Sequence, residues 1–517
     1  MQNYKILWVD DEIELLKPHI LFLTKKGYQV KAVNSGADAL DVIQTDTFDV
    51  IFLDENMAGM TGLETLVQIK VTHPQIPVIM ITKSEEEHIM EEALGAKISD
   101  YLIKPINPNQ ILLSMKKLFD NKRLVSEKTN QSYQQDFRNL SLAFNDQLGF
   151  EEWVEIYKKL IYWELEINST QNQEMLEILA AQKNEANVNF AKFIIDHYED
   201  WLNDPQVEKP LLSFQLMKKK VFPLLEEKKP VFFILIDNLR YDQWKIIEPM
   251  VSEFFKVAEE SCYYSILPTT TAYARNSIFS GMMPSDMAKY HADIWVQEDD
   301  EEGKNLQEAA FLGRQLQKNR IQAKYEYHKI ITQAQGRALV DNLNNMLHNQ
   351  LVALVYNFVD MLSHARTDMN MIRELMPDES AFRSLTKSWF MHSPLFEMLK
   401  KLAAQKIKVV LTTDHGTIFV KKPFKIIGDR NVNTNLRYKQ GKNLNYTGDK
   451  VMVAKNPDRF QLPKLNVSST FVFAIEDYFF VYPNNYNYYV NFYKDTFQHG
   501  GISMEEMIVP FVVLEPK

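Results

Sequence analysis

The chain has 517 residues, of which 45% are hydrophobic and 12% aromatic, and it carries a formal net charge of −10. This length is too great for one hydrophobic core, and the composition is that of a folded chain of about two to four domains. The negative charge argues against a broad nucleic-acid-coating surface. The single cysteine, Cys262, excludes an intrachain disulfide framework and fits a reducing compartment.

The N-terminal residues do not read as a secretory signal, because Asp10 and Asp11 interrupt the first apolar run. No apolar run approaches the roughly 18 residues that a membrane helix needs. We therefore expect a soluble, cytoplasmic protein that has no membrane partner.

Residues 1–118 alternate apolar runs that predict strands with segments that predict helices. The predicted strands are YKILWV, YQVKAV, FDVIFLD, PVIMIT and DYLIKP. The predicted helices are EIELLKPHILFLTKKG, GADALDVIQT and the segments around Leu63–His73, Glu86–Leu94 and Asn109–Phe119. Five such strand–helix units are typical of an α/β domain with a doubly wound parallel sheet.

Polar residues stand where these predicted strands end, and the carboxyl ends of parallel strands meet at one edge of a sheet. These residues are Asp10, Asp11, Asp54, Thr82 and Lys104. The three carboxylates suit a Mg²⁺ ion, which prefers oxygen ligands. Asp54 would then accept a phosphoryl group, Lys104 would offset its charge and Thr82 would hydrogen-bond it. Tyr101 is an aromatic residue that could rotate inward.

This ordered set resembles the receiver domain of bacterial response regulators, a CheY-like fold, over residues 1–118. The resemblance implies that a sensor histidine kinase phosphorylates Asp54, with Mg²⁺ as cofactor, and that phosphorylation produces a homodimer. The alternative is a receiver-like fold that no longer accepts phosphate, although every residue needed for phosphorylation is present.

Residues 119–206 change to helical spacing. Trp153, Ile156, Leu160 and Trp163 form one apolar stripe, and Asn168–Thr170 predicts a cap before a further helix. We expect a linker domain that is a bundle of two or three antiparallel helices. The stripe is interpreted as core packing rather than a ligand site.

Residues 207–517 return to alternating strands and helices, and several apolar runs end in candidate metal ligands. The runs VFFILID, LVALVYNFVD and KVVLTTDH predict buried strands. The candidate ligands are Asp237, Thr271, Asp360, His364, Asp414, His415 and His499. A single acid of this kind can be a helix cap and a single histidine a core residue, so the case depends on their combination. Seven such residues near strand ends predict a two-metal site.

The order DNLRYD, PTTTAYAR, Asp-x-x-x-His, Asp-His and His-Gly-Gly resembles the alkaline phosphatase superfamily and, within it, the PglZ-type domain. The resemblance covers roughly residues 207–517 and implies an alkaline-phosphatase-like α/β fold. It implies one metal on Asp360, His364 and His499 and a second on Asp237, Asp414, His415 and the oxygen of Thr271. Mixed nitrogen and oxygen ligands favour two Zn²⁺ ions, with Mn²⁺ as the alternative.

The resemblance also implies that Thr271 is the nucleophile of a metal-dependent phosphodiesterase or phosphatase and forms a phospho-threonine intermediate. Thr269 and Thr270 precede it directly, so the residues alone leave the choice open, and the family pattern favours Thr271. Arg275 lies one helical turn later. It could hold a non-bridging phosphate oxygen or pair with a surface acid.

The succession of receiver, helices and PglZ-type domain resembles the PorX-type response regulators linked to type IX secretion. This resemblance implies a substrate among small linear or cyclic oligonucleotides and an extracytoplasmic-function sigma factor as a possible partner. The alternative is a non-enzymatic regulator that binds a sigma factor and uses the metal site for structure or for nucleotide binding.

The segment 419–446 is rich in basic residues interleaved with aromatic ones, a pattern that fits a short single strand of nucleic acid. We predict that Lys421, Lys422 and Arg430 guide an anionic substrate to the metals. A solvated basic loop is the alternative interpretation.

Overall fold

The computed structural model describes residues 4–83, 98–144, 148–170, 172–296, 305–428, 432–464 and 468–517. The chain divides into two compact units, Met1–Gln131 and Ser132–Lys517, and each is described by itself. Within the described residues, no helix combines the length and the apolar character needed to cross a bilayer.

The first unit contains a five-stranded sheet in which all neighbouring strands are parallel, in the order β2-β1-β3-β4-β5. The strands are β1 Lys5–Val9, β2 Gln29–Val33, β3 Val50–Asp54, β4 Val78–Thr82 and β5 Asp100–Ile103. The first helices are α1 Lys17–Lys25, α2 Gly36–Thr45 and α3 Gly62–Thr72. This order is that of a CheY-like doubly wound sheet, as predicted. The helix predicted at Glu86–Leu94 lies outside the described residues.

Alternating residues of the central strands supply the two faces of this sheet. Leu7 and Leu53 belong to the hydrophobic cluster on one face, and Trp8 and Phe52 belong to the cluster on the other. Because both faces are covered, β3 and β4 are fully buried and read as continuous apolar runs.

The helical segment differs from the prediction at two places. Helix α4, Pro108–Ala143, does not end near Phe119. Helix α5, Phe150–Thr170, contains the residues predicted as a cap, and the actual cap of α6, Gln173–Asn203, is Asn172, whose side chain accepts the amide of Met175. The predicted stripe on α5 is core, as expected, because all four of its residues are buried.

The second unit is built on a six-stranded sheet in the order β7-β19-β10-β6-β9-β8. Strands β10, β6, β9 and β8 are parallel, and β19 runs antiparallel between β10 and β7. Its strands are β6 Val231–Ile236, β7 Phe255–Tyr264, β8 Tyr325–Ile330, β9 Leu351–Tyr356, β10 Lys408–Thr412 and β19 Ile508–Pro516.

Three small sheets, β11-β18, β14-β12-β17 and β13-β16-β15, accompany the large one. Their strands are β11 Ile418–Val420, β12 Lys422–Ile427, β13 Tyr438–Gly441, β14 Asn445–Tyr446, β15 Val451–Ala454, β16 Thr470–Ala474, β17 Tyr478–Val481 and β18 Thr496–Gln498.

The helices of this unit after α6 are mostly short. They are α7 Tyr241–Val251, α8 Asn276–Ser280, α9 Pro284–Tyr290, α10 Glu308–Lys318, α11 Gln333–Asp341, α12 Leu343–Met346, α13 Phe358–Asp368, α14 Asn370–Leu375, α15 Glu379–His392, α16 Pro394–Ala404, α17 Tyr486–Tyr493 and α18 Met504–Met507. A π-helical turn at Thr271–Arg275 runs directly into α8.

The parallel strands β6, β9 and β10 place polar residues at one edge of the large sheet. Asp237 follows β6, Asp360 lies in the first turn of α13 after β9, and Asp414 and His415 follow β10. The three strands are almost entirely buried, so their carboxyl ends are held rigidly by the core.

Candidate functional site

Asp360, His364 and His499 form one group in which a ligand atom from each residue lies within 4.8 Å of the others. Asp360 and His364 are one turn apart on α13, and His499 follows β18. The His499 Nε2 atom lies 3.4 Å from His364 Nε2 and 3.6 Å from Asp360 Oδ1. Two imidazole nitrogens and a carboxylate oxygen therefore converge on one point.

The electrostatics of this group suit a cation. Burial lowers the pKa of His499 well below its ordinary value, which favours the neutral imidazole that a metal requires. The hydrogen bond to Asp360 raises the pKa of His364. Burial alone would raise the pKa of Asp360, but the hydrogen bond from His364 outweighs it and lowers that pKa, so the carboxylate is ionised.

Asp237, Asp414 and His415 form a second group of the same compactness, and all three are fully buried. Burial, followed by the facing charge of Asp414, raises the pKa of Asp237 well above its ordinary value. Asp414 Oδ2 is buried without a hydrogen-bond partner among the described residues. Two facing carboxylates with an unsatisfied buried oxygen are what a divalent cation would neutralise, so the residues present fit a metal.

Thr271 joins the second group. Its Oγ1 atom lies 3.2 Å from His415 Nε2 and 3.4 Å from Asp237 Oδ1. The preceding threonines are used differently: Thr269 Oγ1 donates to the carbonyl of Gly501 and accepts the amide of Gly500, both at 3.0 Å. Thr270 is buried. Of the three hydroxyls, that of Thr271 lies within hydrogen-bond distance of two candidate ligands, His415 and Asp237.

Backbone carbonyls orient the two buried histidines. His415 Nδ1 lies 3.1 Å from the oxygen of Gly416, and His499 Nδ1 lies 3.3 Å from the oxygen of Thr269. With each Nδ1 donating to a carbonyl, Nε2 carries the lone pair that faces its group.

Sequence reasoning missed Asn238, which connects the two groups. Its backbone amide donates to Asp414 Oδ1 at 3.4 Å, and its Nδ2 donates to Asp360 Oδ1 at 3.2 Å and to Ser363 Oγ at 3.1 Å. Asn238 has a φ of 65°, a left-handed conformation that asparagine tolerates better than most residues. An asparagine directly after a strand-end aspartate was the only signal in the sequence.

Arg275 takes neither of its two predicted roles. It is buried, and its Nη1 atom donates to Asp237 Oδ2 at 2.6 Å, while its Nε lies 3.2 Å from Glu308 Oε1. Asn357 Nδ2 donates to the same Asp237 oxygen at 3.0 Å. Arg275 therefore holds a candidate metal ligand in place from behind, rather than meeting a substrate or a surface acid.

A cavity of about 420 Å³ opens beside both groups. Its wall includes Thr271, Asp360, His364 and His499, together with Tyr493. The remainder is mostly uncharged and polar: Thr270, Ala272, Asn305, Thr367, Asp368, Thr434, Asn435, Leu436 and Gln498.

The uncharged residues Thr434, Asn435 and Leu436 of the basic segment 419–446 line this cavity, but none of its described lysines and arginines does, so the predicted cationic wall is not formed. Lys421 lines a different cavity, bounded by α5 and α6, and Lys422 Nζ pairs with Asp477 Oδ1 at 2.8 Å. Arg437 is buried and pairs with Glu506 at 2.7 Å, and Lys439 is also buried. Arg430 lies outside the described residues. Lys422, Arg437 and Lys439 thus serve internal ion pairs and hydrogen bonds, whereas Lys421, Lys425 and Lys442 are exposed.

In the first unit, Asp10, Asp11 and Asp54 form a third group with one ligand atom each within 4.8 Å of the others. Lys104 Nζ lies 2.8 Å from Asp10 Oδ2 and 2.9 Å from Asp54 Oδ1. Burial raises the pKa of Asp54, and the hydrogen bond from Lys104 partly offsets that shift. A cation beside these acids would offset it further.

Two further residues of this group stand where the sequence places them. Thr82 ends β4, next to β3, which ends at Asp54, and it is buried. Tyr101 lies on the edge strand β5 and is 38% exposed, so its ring is in an outward position. The close approach of chain behind Asp54 requires glycine at position 62, where a Cβ would lie 2.3 Å from the Asp54 carbonyl oxygen.

Three family models match the chain in succession. They are the response regulator receiver domain over residues 6–116, the PorX response regulator linker domain over residues 123–202 and the BREX system PglZ alkaline phosphatase-like domain over residues 216–514.

Curated relatives match the receiver region. The alginate biosynthesis transcriptional regulatory protein AlgB of Pseudomonas putida is 33% identical over 120 residues, covering 23% of this chain and 27% of that protein. The transcriptional regulatory protein ZraR of Escherichia coli is 34% identical over 127 residues, covering 25% of this chain and 29% of that protein. The chain thus spans less than a third of the length of either relative.

Solved structures also align with this region. The chemotaxis protein CheY4 of Vibrio cholerae is 29% identical, with a TM-score of 0.22, and the match covers 23% of this chain and all of that one. A receiver domain protein of Methanospirillum hungatei is 27% identical, with a TM-score of 0.23, covering 23% of this chain and 96% of that one.

The PglZ model covers more than half of the chain and contains both metal-ligand groups of the second unit. The receiver and linker models precede it in the PorX-type order. The chain therefore belongs to the family that carries a PglZ alkaline phosphatase-like domain, and it is a response regulator of PorX-type architecture.

Proposed function

We propose that the PglZ domain of this response regulator is a metal-dependent phosphodiesterase or phosphatase in which Thr271 is the nucleophile. The observation that supports this proposal most directly is the position of the Thr271 hydroxyl. It stands within 3.4 Å of two candidate ligands of the second group and on the wall of a cavity that the first group also lines.

The proposal assigns two Zn²⁺ ions, or Mn²⁺, to the two ligand groups. Bound there, they would stabilise charge on the phosphate oxygens and lower the pKa of a hydroxyl. The Thr271 oxygen attacks phosphorus and forms a phospho-threonine ester, while the hydroxyl proton passes to solvent. The bond to the leaving alcohol breaks, and that oxygen takes a proton from water. A water molecule then cleaves the ester and restores Thr271.

The chain's other residues position this chemistry. Arg275 and Asn357 hold Asp237, and Asn238 holds Asp414 and Asp360 at one relative geometry. Because Arg275 and Asn238 are buried and Asn357 is half-buried, the candidate ligands are fixed before any substrate arrives, which is the condition for electrostatic stabilisation of a transition state.

The proposal further assigns the substrate to small linear or cyclic oligonucleotides and the control to phosphorylation of Asp54 by a sensor histidine kinase, with Mg²⁺ at Asp10, Asp11 and Asp54. A phosphorylation-dependent homodimer, an extracytoplasmic-function sigma factor as partner and a role in type IX secretion complete it. We assign the receiver, linker and hydrolase functions to residues 1–118, 119–206 and 207–517, although α4 runs through the first boundary.

The test is hydrolysis of bis-p-nitrophenyl phosphate and a short oligonucleotide with added Zn²⁺, for the full chain, Thr271→Ser and Thr271→Val. We expect turnover by the parent chain, partial turnover by Thr271→Ser and loss of at least a hundredfold in Thr271→Val. Zinc binding without turnover in the parent chain would instead favour a regulator that uses this site for binding only.

Control by the receiver is tested by treatment with acetyl phosphate in the presence of Mg²⁺, with Asp54→Asn as the matched control. We expect the rate to change in the parent chain and to stay constant in Asp54→Asn. The same change in both chains would mean that acetyl phosphate acts elsewhere.

A further inference from the structure

Helix α17, Tyr486–Tyr493, has the sequence YNYYVNFY, and none of its residues is fully buried. Tyr486, Val490 and Tyr493 pack partly against a small hydrophobic cluster under the helix. Tyr488 and Tyr489 remain 63% and 38% exposed. Packing against the core accounts for the positions of Tyr486 and Tyr493, but it does not account for the exposed rings of Tyr488 and Tyr489.

Four rings of α17 are arranged in two rows, and the two ring planes within each row are nearly parallel. Tyr489 and Tyr493 have centroids 6.0 Å apart and planes inclined by 11°, and Tyr488 and Phe492 have centroids 6.1 Å apart and planes inclined by 14°. Residues four apart lie on the same side of a helix, so each row is one turn long. Of the four rings, that of Tyr493 lines the cavity beside the metal-ligand groups.

The row Tyr489–Tyr493 therefore leads from the cavity toward solvent. At its inner end stand Thr271 and the ligands Asp360, His364 and His499 on the same cavity wall. At its outer end the ring of Tyr489 is open to water. A molecule whose phosphate lies at the candidate ligands can extend along Tyr493 and then Tyr489, whose ring centroids are 6.0 Å apart.

Among the other described residues that line this cavity, Asp368 is the one acid outside the candidate ligands, and most of the rest are neutral and polar. None of them is a lysine or an arginine, and Thr434, Asn435 and Gln498 are polar and neutral. Asn435 Oδ1 accepts the amides of Arg437 and Tyr438 at 2.7 and 3.2 Å, which fixes the orientation of its amide group. Aromatic faces and fixed amides suit a planar, hydrogen-bonding group, and a nucleobase is both.

We propose that Tyr489 and Tyr493 form a base-stacking subsite that selects substrates carrying a nucleobase next to the scissile phosphate. This inference rests on the proposed phosphodiester hydrolysis and adds the residues that recognise the substrate. The predicted basic segment contributes the neutral residues Thr434, Asn435 and Leu436 to this cavity, and none of its described lysines and arginines lines it. Stacking on tyrosine is tolerant of base identity, and it is stronger for purines, which have the larger faces.

The experiment compares an adenine dinucleotide with the same phosphodiester in which abasic tetrahydrofuran replaces both nucleosides. Turnover of both and equilibrium binding of their phosphorothioate analogues are measured with zinc-loaded full chain. The variants are Tyr489→Ala, Tyr493→Ala, the ring-preserving Tyr489→Phe and Tyr493→Phe, and Tyr290→Ala. Tyr290 is a tyrosine on α9 that is 58% exposed and does not line the cavity.

We expect Tyr489→Ala and Tyr493→Ala to raise KM and Kd for the adenine substrate by about tenfold each. The phenylalanine variants and Tyr290→Ala should behave as the parent chain, and the abasic substrate should respond to none of the changes. Thermal unfolding of each variant, followed by circular dichroism, checks that the chain remains folded.

The outcomes separate the subsite from the chemistry. Base-dependent binding that the alanine variants lose, without turnover by the parent chain, would keep the subsite and remove the proposed hydrolysis. Turnover that depends on Thr271, with equal KM and Kd effects on the two substrates or none, would overturn the subsite and leave the hydrolysis intact. Parent-chain binding that does not distinguish the two analogues would overturn the subsite in either case.

Discussion

Asn187, on linker helix α6, donates a hydrogen bond of 2.9 Å from its Nδ2 to Glu505 Oε2, and its Oδ1 accepts one of 2.9 Å from the amide of Met504. The next residue, Glu506, accepts the amide of Gly501 at 2.8 Å through Oε1 and the amide of Gly416 at 3.2 Å through its carbonyl. Gly416 follows His415 directly, and Gly501 is two residues after His499. One linker side chain thus holds the turn that fixes the backbone beside two candidate metal ligands.

Substitution of Asn187 by alanine should therefore weaken metal binding although no ligand is changed. We expect the zinc affinity and kcat to fall about tenfold, within the range for a group that orients a ligand through another residue. Isothermal titration with Zn²⁺ measures the affinity. Asn189→Ala is the control, because Asn189 is half-buried on the same helix and its side chain donates to the Glu185 carbonyl of that helix rather than to Glu505. Equal zinc affinity in the two variants would show that α6 does not support the site.

Replacement of Arg275 by methionine should destabilise the second unit. The change leaves Asp237 and Glu308 buried without their cation, a loss on the order of 3–5 kcal/mol. It also removes the charge that opposes the elevated pKa of Asp237, so zinc binding should shift to higher pH. Urea unfolding and zinc titrations across pH measure both effects. Arg314→Met, at an exposed pair with Asp293, should cost far less, and comparable losses would argue against a supporting role for Arg275.

Metal removal should lower the melting temperature of the second unit. Without a cation, the charges of Asp237 and Asp414 face one another in a buried site. A ligand at a hundred times its Kd stabilises a protein by about 2.7 kcal/mol. Asp414→Asn relieves the repulsion, so this variant should melt no lower than the metal-free parent chain and should gain little from Zn²⁺. Thermal unfolding with and without chelator provides the comparison, and a large zinc gain in Asp414→Asn would contradict the assignment.

The free energy of unfolding should decrease at acidic pH because Glu164, a buried carboxyl on α5, becomes protonated. Burial alone would raise its pKa, but the charges of Arg383 and Lys183 outweigh burial and hold that pKa well below its ordinary value of 4.5. A depressed carboxyl pKa contributes stability that is present above 4.5 and is lost as pH falls toward the folded-state pKa.

Below pH 4.5 the free energy of unfolding of the parent chain should decrease by up to about 1.4 kcal/mol per pH unit more than that of Glu164→Gln. At pH 7 that variant should be less stable by about 3–5 kcal/mol, because Lys183 loses its partner at 2.6 Å. Urea unfolding at several pH values checks both predictions. If the free energy of unfolding of the two chains depended on pH in the same way, Glu164 would not be the source of the acid sensitivity.

In the receiver, Lys104→Met should leave Asp54 able to accept phosphate while weakening the response to it. Lys104 is 2.8 Å from Asp10 and 2.9 Å from Asp54, so its charge is positioned to pair with the attached phosphoryl oxygens. Mass spectrometry after acetyl phosphate treatment measures incorporation, and the hydrolysis rate measures the response. Asp54→Asn should show neither. An unchanged response in Lys104→Met would mean that this ion pair is not part of the switch.

The sequence predicts that Asp237, Asp360 and Asp414 lie at one edge of the sheet, because each follows a predicted buried strand, and their role as metal ligands stays a prediction. Buried apolar runs identify β6, β9 and β10, and the residue after each run must lie at one sheet edge. The supports of the site are different. Asn238, Glu308 and Glu506 reach their partners across long stretches of chain, and no periodicity reports such a contact.

In the basic segment, the sequence pattern suggests exposed charges at positions that the structure shows to be buried. Arg437 and Lys439 read as solvent-facing cations, yet Arg437 pairs internally with Glu506 and Lys439 donates to the Asn433 carbonyl at 2.8 Å. Local charge density cannot distinguish a surface cation from one whose partner is distant in sequence. The length of α4 could likewise not be predicted, because no residue near Phe119 indicates whether the helix ends or continues.

Strand β19, Ile508–Pro516, fills the position between β7 and β10, and within the described sheet β7 has no other neighbour. During synthesis β6, β7, β9 and β10 are all made before β19, so β7 can join the large sheet only after Ile508–Pro516 has been made. His499 and the turn at Ser503–Glu506 leave the ribosome in the same late interval. A chain that has been made only as far as β10 therefore lacks His499 of the first candidate ligand group as well as the strand that connects β7 to β10.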